Sequence, residues 1–407
     1  MSRAHVLILD TGHEWGGGTN SLLELVARLP KDRYRLRAVF CTDYRRGGGE
    51  TIGQALTAHG VRFHHLPPGM GRRERLSREV GRALRLGRAR RDFLFRHRLA
   101  WRVRPAAQHL ATLIEAEMVD LVYCNNQPST NLEGFLAAGR AGIPCVAHIR
   151  KEAGLAPFEV ETANARATRF ICVSHAMRDH YASQGLDAGR ITVVHNGLDV
   201  RRPVPPADGA AYAAWGIGPE HPVVGAVGSL LKLKGFDLLL EAFALLRQDG
   251  LPEARLVILG EGPERQALAA AARRLDVTEA LRLPGFVEDP LPVMARFDVM
   301  AVPSSSEGCP RSVLEAMFVG CPVAAFAVGG LPELVEQGKT GLLVADRDPR
   351  FLASALGLLL RGAALRKAMG LAARKRLAEQ FSVDRYAAEV DAVLSQALAV
   401  PRRRGGA

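Results

Sequence analysis

The sequence predicts an α/β fold: two doubly wound halves facing a cleft. Three observations carry that prediction. Short apolar runs alternate with stretches of helical spacing along nearly the whole chain. The alternation breaks once, at the proline-rich run DVRRPVPPADGA from Asp199 to Ala210, and then restarts. At 407 residues the chain also exceeds what one ordinary core holds.

The elements follow in order. His5 to Leu9 is a first strand rather than a signal peptide, because its apolar run is only five residues long. The turn Gly16-Gly17-Gly18 leads to a helix from Thr19, its expected N-cap, to Leu29. Leu36 to Cys41, Val61 to Leu66, Val119 to Cys124, Pro144 to Ile149, Phe170 to Ser174 and Ile191 to His195 read as strands, with helices such as Asn131 to Ala141 between them. This alternation implies a parallel sheet covered on both faces. After the break, Val223 to Val227 is a strand, Gly228 to Gly235 a loop, and Phe236 to Arg247 a helix. Arg255 to Leu259 is a strand closed by Gly260 to Pro263, Glu264 to Leu275 a helix, and Leu281 to Leu283 a strand ending in Gly285-Phe286. Asp298 to Val302 is a buried strand, and Val313, Leu314, Met317 and Phe318 mark a helix that starts after Pro310 and stops at Gly320. CPVAAF and Gly341 to Val344 are strands, Pro349 to Arg361 is a helix, and Ala363 to Leu398 is a closing helical region. The expected boundaries are 1–200 for the first domain, 201–212 for a linker and 213–380 for the second domain. A helix over 381–400 and a disordered tail, PRRRGGA, over 401–407 complete the chain.

Composition excludes several classes. Apolar content of 48% and charge of 24% are ordinary globular values. No apolar run approaches the length of a membrane-spanning helix. Six scattered cysteines with no CxxC pair fit a reducing, cytoplasmic compartment and no zinc site. The net charge of +12 is concentrated: between Arg72 and Arg104, 13 arginines face only Glu74, Glu79 and Asp92. From Arg75 to Leu86 the arginines share one helical face and Leu76, Val80, Ala83 and Leu84 the other, with Phe93, Phe95 and Trp101 following. Such a stretch reads either as a contact for an anionic membrane surface or as a solvated face whose apolar side packs on the sheet. No nucleic-acid motif accompanies it, so no nucleic-acid partner is expected.

Residues 303–333 concentrate the chemistry. Glu307 lies in a strand-to-helix loop and Glu315 about one turn into the helix. Loops at the carboxyl ends of parallel strands bind ligands, and a helix start with free N–H groups favours anions. A ligand bearing phosphate and hydroxyls fits both. The turn at Gly16 to Gly18 could approach a phosphate or be a simple tight turn, since the full GxGxxG pattern is missing. Asp346-Arg347-Asp348 has the form of a metal-binding DxD. Its place before Pro349 suits a helix cap better, so no metal is expected. His148 is a strand-end histidine, and the adjacent Arg150 and Lys151 could meet an acidic acceptor or be solvated.

Together these residues resemble the family-four glycosyltransferases of the GT-B fold, which pair two Rossmann-like domains. The resemblance covers nearly the whole chain and is strongest from Gly225 to Leu343. It rests on Gly228 to Gly235, Leu256 to Pro263, Gly285-Phe286 with Asp289, the seven-residue spacing of Glu307 and Glu315, and Gly329 to Glu333. Gly16-Gly17, His148, Ser174 and Asn196 to Asp199 match a looser pattern in the first half. The resemblance implies retaining transfer of a sugar from a UDP- or GDP-linked donor, with no cofactor and no metal, to a glycan or lipid-linked acceptor in cell-envelope polysaccharide or glycolipid synthesis. It implies a final helix that crosses back to the first domain, and a cytoplasmic protein, peripheral at the inner face of the plasma membrane if 72–104 binds it. Lys234 is expected on the diphosphate, Glu315 on the ribose, Glu307 on the transferred sugar, and His148 at the reacting sugar. Gly17, Gly285, Val287, Gly308, Cys309, Pro310 and Arg311 complete the expected donor site. Ser229 stands where the family often has Arg, so Lys232 or Arg311 is expected to supply that charge. A nucleotide-sugar epimerase of the same fold, or a catalytically silent sugar-nucleotide or glycan-binding partner, remain alternatives.

Overall fold

Two separate parallel sheets organise the chain. The computed structural model describes residues 3–66 and 97–401. One unit takes in the chain up to Val173, Met177–Val194 and the stretch from Ala387; the other takes in Ser174–Ala176 and His195–Tyr386.

The first unit is built on β1 (Ala4–Asp10), β2 (Tyr34–Phe40), β3 (Arg62–His65), β4 (Leu121–Cys124), β5 (Cys145–Ile149), β6 (Arg169–Cys172) and β7 (Ile191–Val193). Their order is β3-β2-β1-β4-β5-β6-β7. Helices bury β4 and all of β1 but Ala4, which is why Val6 to Leu9 and Leu121 to Cys124 are continuous apolar runs rather than alternating ones. Each such side chain removed from water contributes about 1.5–3 kcal/mol. Strand order reverses between β1 and β4, so the loops after these two strands flank the crevice that open α/β sheets use for ligands.

The helix after β1 starts earlier than expected. It spans Gly17–Arg28, and its N-cap is Gly16, not Thr19. Thr19 is the third helical residue; its hydroxyl accepts the Gly16 N–H at 3.4 Å and lies 3.1 Å from the Tyr44 hydroxyl. Gly16 is extended and ends the loop itself, so the Thr19 hydroxyl is used inward. At the other end of the chain, the final helix Val383–Leu398 is tied to β2. Asp391 accepts from Arg33 at 2.5 Å and from the Tyr34 hydroxyl at 2.7 Å. Burial and this carboxylate push the Tyr34 phenol up to about 12.

In the second unit β8 (Val223–Val227), β9 (Arg255–Leu259), β10 (Leu281–Gly285), β11 (Val299–Val302), β12 (Val323–Phe326) and β13 (Gly341–Val344) run in the order β10-β9-β8-β11-β12-β13. The helices Phe236–Gln248 and Pro349–Arg361 cover one face, burying Leu239, Phe243, Leu352, Leu356 and Leu359. Asp348 caps the latter by accepting the Arg350 N–H at 2.8 Å, with Pro349 at the first helical position. The closing region is two helices, Ala363–Gln380 and Val383–Leu398. The break has a clear cause: Leu198 donates to the Phe381 carbonyl at 3.0 Å and accepts from Val383 at 2.9 Å. A continuous helix would spend those groups on its own ladder. The proline-rich run lies in this unit, where Asp208 donates to the Pro292 carbonyl at 3.0 Å and the Tyr212 hydroxyl to the Val293 carbonyl at 2.9 Å.

The six cysteines are thiols, none of them in a disulfide. Five are buried, and burial pushes Cys172 up to about 12 and the half-buried Cys41 up to about 11. The amphipathic stretch from Arg75 to Leu86, with Phe93 and Phe95, lies outside the described residues, as does the tail from 402. Trp101 is within them and 43% exposed. Among the described residues no helix is long and apolar enough to cross a membrane.

The centre of the second sheet leaves no spare volume. A Cβ on Gly225 in β8 would overlap the Phe297 ring. We expect Gly225→Ala to cost about 1–3 kcal/mol by overpacking, read as a lower urea midpoint at unchanged slope.

Candidate functional site

Parallel pairing of β8 with β11, Val224 beside Val299 and Gly225 beside Met300, brings the loops after these strands together. The first loop contains a 3-10 turn, Lys232–Lys234, and closes on Gly235. That residue is left-handed at φ +65°, and a Cβ there would overlap the Pro303 carbonyl oxygen. The backbones are then joined by Ser305 N–H donating to the Leu233 carbonyl at 2.8 Å. Lys234 Nζ consequently lies 2.6 Å from Glu307 Oε1, and Ser304 Oγ donates to the same oxygen at 2.6 Å. Ser304 and Glu307 are buried and Lys234 is partly so, which makes this charge-assisted pair stronger than an exposed one.

Past Pro310 the helix Arg311–Val319 begins. Its first turn offers backbone N–H groups. Glu315 sits on the second turn, with Oε1 3.7 Å from Arg311 Nε. Arg311 also donates to the Gly197 carbonyl at 3.3 Å, and Asn196 Nδ2 donates to the Cys309 carbonyl at 2.7 Å. Gly330 supports the loop from its other side, donating to the Glu307 carbonyl at 2.9 Å. A Cβ on Gly330 would overlap the Gly308 carbonyl oxygen, and one on Gly329 the Glu307 carbonyl oxygen. So Glu307, Gly308, Cys309 and Pro310 form a loop braced on two sides.

Other expected donor residues fall around this centre to differing degrees. Ser229 is exposed in the loop after β8. Lys232 turns to Asp237 at 2.5 Å on the exposed surface, while Lys234, two residues on, meets Glu307. Gly285 is left-handed at φ +95° and accepts the Gly260 N–H at 2.8 Å; Val287 follows it, half-buried.

In the first unit Gly17 opens its helix and His148 is fully buried near the end of β5. The Tyr123 hydroxyl lies 2.5 Å from His148 Nδ1 and Arg150 Nη2 3.5 Å from it. Arg150 is buried rather than solvated, and its Nε donates to Asn125 Oδ1 at 2.7 Å. Asn125 and Asn126 donate to the two oxygens of Asp10, each at 2.7 Å. Burial, reinforced by the Arg150 charge, holds His148 well below its usual range, so the ring is neutral at neutral pH. Burial pushes Asp10 up, against the hydrogen bonds that oppose it.

Sequence reasoning missed Ser304, Tyr123, Asn125 and Asp10. Three of them lie at the ends of strands of a parallel sheet, and that position is the one signal that could have found them. Glu333, noted only as part of a motif, binds three donors: the N–H groups of His175 at 2.8 Å and Ala176 at 2.9 Å, and His195 Nε2 at 2.8 Å.

Residues 221–362 match the family described as glycosyl transferases group 1, and residues 15–202 match glycosyltransferase family 4. A D-inositol 3-phosphate glycosyltransferase of Mycobacterium sp. strain JLS is 40% identical over 170 residues, covering 40% of the chain and 37% of that protein. The enzyme of that name from Jonesia denitrificans is 32% identical over 64% of the chain and 68% of its own length. The chain thus matches about a third to two thirds of these relatives' lengths. Anabaena Alr3699/HepE, solved in complex with UDP-glucose, shares the GT-B fold: TM-score 0.76, 22% identity, 96% of the chain and 99% of that protein.

The Glu333 cluster generates a pH prediction. Burial alone would raise this carboxyl, but His195 and the amides of Ala176 and His175 outweigh it and hold it below the usual range. A carboxyl depressed in the folded state stabilises above its unfolded value, about pH 4.3, and that contribution is lost as pH falls through the folded value. The stability gap between wild type and Glu333→Gln should therefore shrink from about pH 6 to about pH 3 in urea titrations.

Proposed function

The chain belongs to the group 1, family-four glycosyltransferases, and from that premise we propose that it moves a sugar from a nucleotide-sugar donor to a glycan or lipid-linked acceptor, with retention of configuration and no metal ion. The observation that carries this reading is the meeting of Lys234 with Glu307 beside the start of the helix Arg311–Val319.

A diphosphate leaving group gains negative charge as the glycosidic bond breaks. Positive charge must be in place beforehand to stabilise it. Lys234 and the N–H groups around Gly308 to Arg311 supply that charge where a metal would otherwise act. Glu315 holds the ribose hydroxyls and Glu307 the hydroxyls of the transferred sugar. The acceptor hydroxyl attacks on the face the diphosphate leaves, forming the new bond to the anomeric carbon while its proton passes to the leaving phosphate. No protein nucleophile takes part, so trapping a sugar covalently bound to Glu307 overturns this mechanism. Lys232, held by Asp237, is peripheral to the diphosphate.

UDP-linked donors head the candidates because HepE was solved with UDP-glucose; D-inositol 3-phosphate, named in the relatives, heads the acceptors. The basic stretch 72–104 supports a peripheral contact with anionic lipid.

The test is a thermal-shift panel of UDP, GDP and their sugars, followed by turnover with the best binder. Lys234→Ala should lose nucleotide binding and about 10²–10³ in kcat, whereas Lys232→Ala should stay within about threefold. Binding with neither transfer nor hydrolysis would favour a silent partner protein. In flotation, the full chain should rise with vesicles containing anionic lipid and not with neutral ones; equal behaviour removes the membrane contact.

A further inference from the structure

We propose an anion site on the first unit, where Arg35 and Arg62 hold a phosphate monoester beside the stacked rings of His64 and His109. It lies towards the amino ends of β2 and β3, away from the crevice at the carboxyl ends of the strands, and does not depend on sugar transfer.

Strand register builds the cluster. Arg37 of β2 pairs with Arg62 of β3, and Val39 with His64. Residues two apart along a strand share a face, so Arg35, Arg37, Arg62 and His64 stand on one face of the sheet. The helix Arg104–Ala116 adds His109, whose ring stacks on His64 with centroids 6.2 Å apart and planes at 20°. β3 is the edge strand, and Arg35 and Arg62 are exposed. Neighbouring strands are about 4.8 Å apart, so two guanidinium stems rise side by side from one ladder position, with a third two residues away. Like charges that close repel.

The nearby carboxylates are already engaged. Glu117 pairs with Arg37, and its other oxygen lies 4.0 Å from His5 Nε2. Asp120 accepts the His5 N–H at 2.8 Å. The side chains of Arg35 and Arg62 have no hydrogen-bond or ion-pair partner among the described residues, and neither do the ring nitrogens of His64 and His109. Arg37 Nε is buried and without one as well. The positive field is felt locally. Burial, then Arg62 and Arg35, lowers Arg37; burial, then Arg37, His109 and His65, lowers His64. A phosphate monoester fits this imbalance. It carries nearly two negative charges at neutral pH and three free acceptor oxygens, and guanidinium forks bind such oxygens in pairs. The basic stretch 72–104 lies in sequence between β3 and the helix that carries His109, so a lipid headgroup and a free phosphate are both sources of the same group.

The test uses the full chain at low ionic strength, with the His64 and His109 ring signals assigned by His64→Gln and His109→Gln. Inorganic phosphate, compared with chloride at equal ionic strength, should shift both signals with a single Kd of about 1 mM or below. It should also raise the His64 titration midpoint, because a nearby anion favours the charged ring. Arg35→Gln combined with Arg62→Gln should weaken binding about tenfold or more, and Lys234→Ala should leave it unchanged. Phosphate that moves neither ring, chloride that moves them equally, or a double variant that binds as the wild type does overturns the proposal. Vesicles then separate the sources. Flotation stronger with phosphatidic acid than with phosphatidylglycerol of equal charge, and lost in the double variant, identifies a lipid headgroup. Phosphate binding with flotation unaffected by the double variant identifies a free phosphate. The two rings report this site alone, so failure of nucleotide binding or turnover, which bears on the transfer reading, leaves the result intact. The wild-type titration decides even where a variant fails to fold.

Discussion

The adjacency of β8 and β11 is the constraint on which the second unit's site depends. These strands are far apart in sequence, yet their pairing sets two loops side by side at the carboxyl edge of the sheet. Everything else there serves that meeting. Gly235 takes a left-handed turn so that its loop can lie on Pro303, and Gly329 and Gly330 let a third loop lie on Glu307 and Gly308. The opposite charges brought together satisfy each other.

The two units handle polar groups differently. In the second, a lysine on a flexible stem meets a carboxylate at a partly exposed edge, an arrangement suited to exchange. In the first, Asp10, Asn125, Arg150, His148 and Tyr123 form a buried hydrogen-bonded chain. Such a chain is costly to build and more costly to leave half-satisfied, so it holds one geometry.

Much of this was legible in the sequence. The strands Val223–Val227, Arg255–Leu259 and Gly341–Val344 and the helix Pro349–Arg361 are bounded by Gly, Pro and Asp, whose backbone preferences end elements sharply, and their expected limits match the structure. Thr19 misled because a hydroxyl at the third helical position carries the same signal as one at the cap. The cause of the boundary near Phe381 could not be read from the sequence, because Leu198 is remote in the chain. Within the site, Glu307, Glu315 and Lys234 stood out as charges in loops or at a helix start. The cause that separates Lys232 from Lys234 did not, since a single 3-10 turn sends one outward to Asp237 and the other to Glu307. Tyr123 sits in an apolar strand, where an aromatic residue is the ordinary expectation; only its neighbours reveal the hydroxyl's task.

The burial of the thiols has a practical side. Only thiolate reacts with alkylating reagents, and in this protein the cysteines are either enclosed or, as at Cys41 and Cys172, held with their proton far above neutral pH. The native chain is therefore a quiet background for labelling. One cysteine introduced on the exposed surface of either unit would take a dye selectively, without first stripping the protein of its own sulfur.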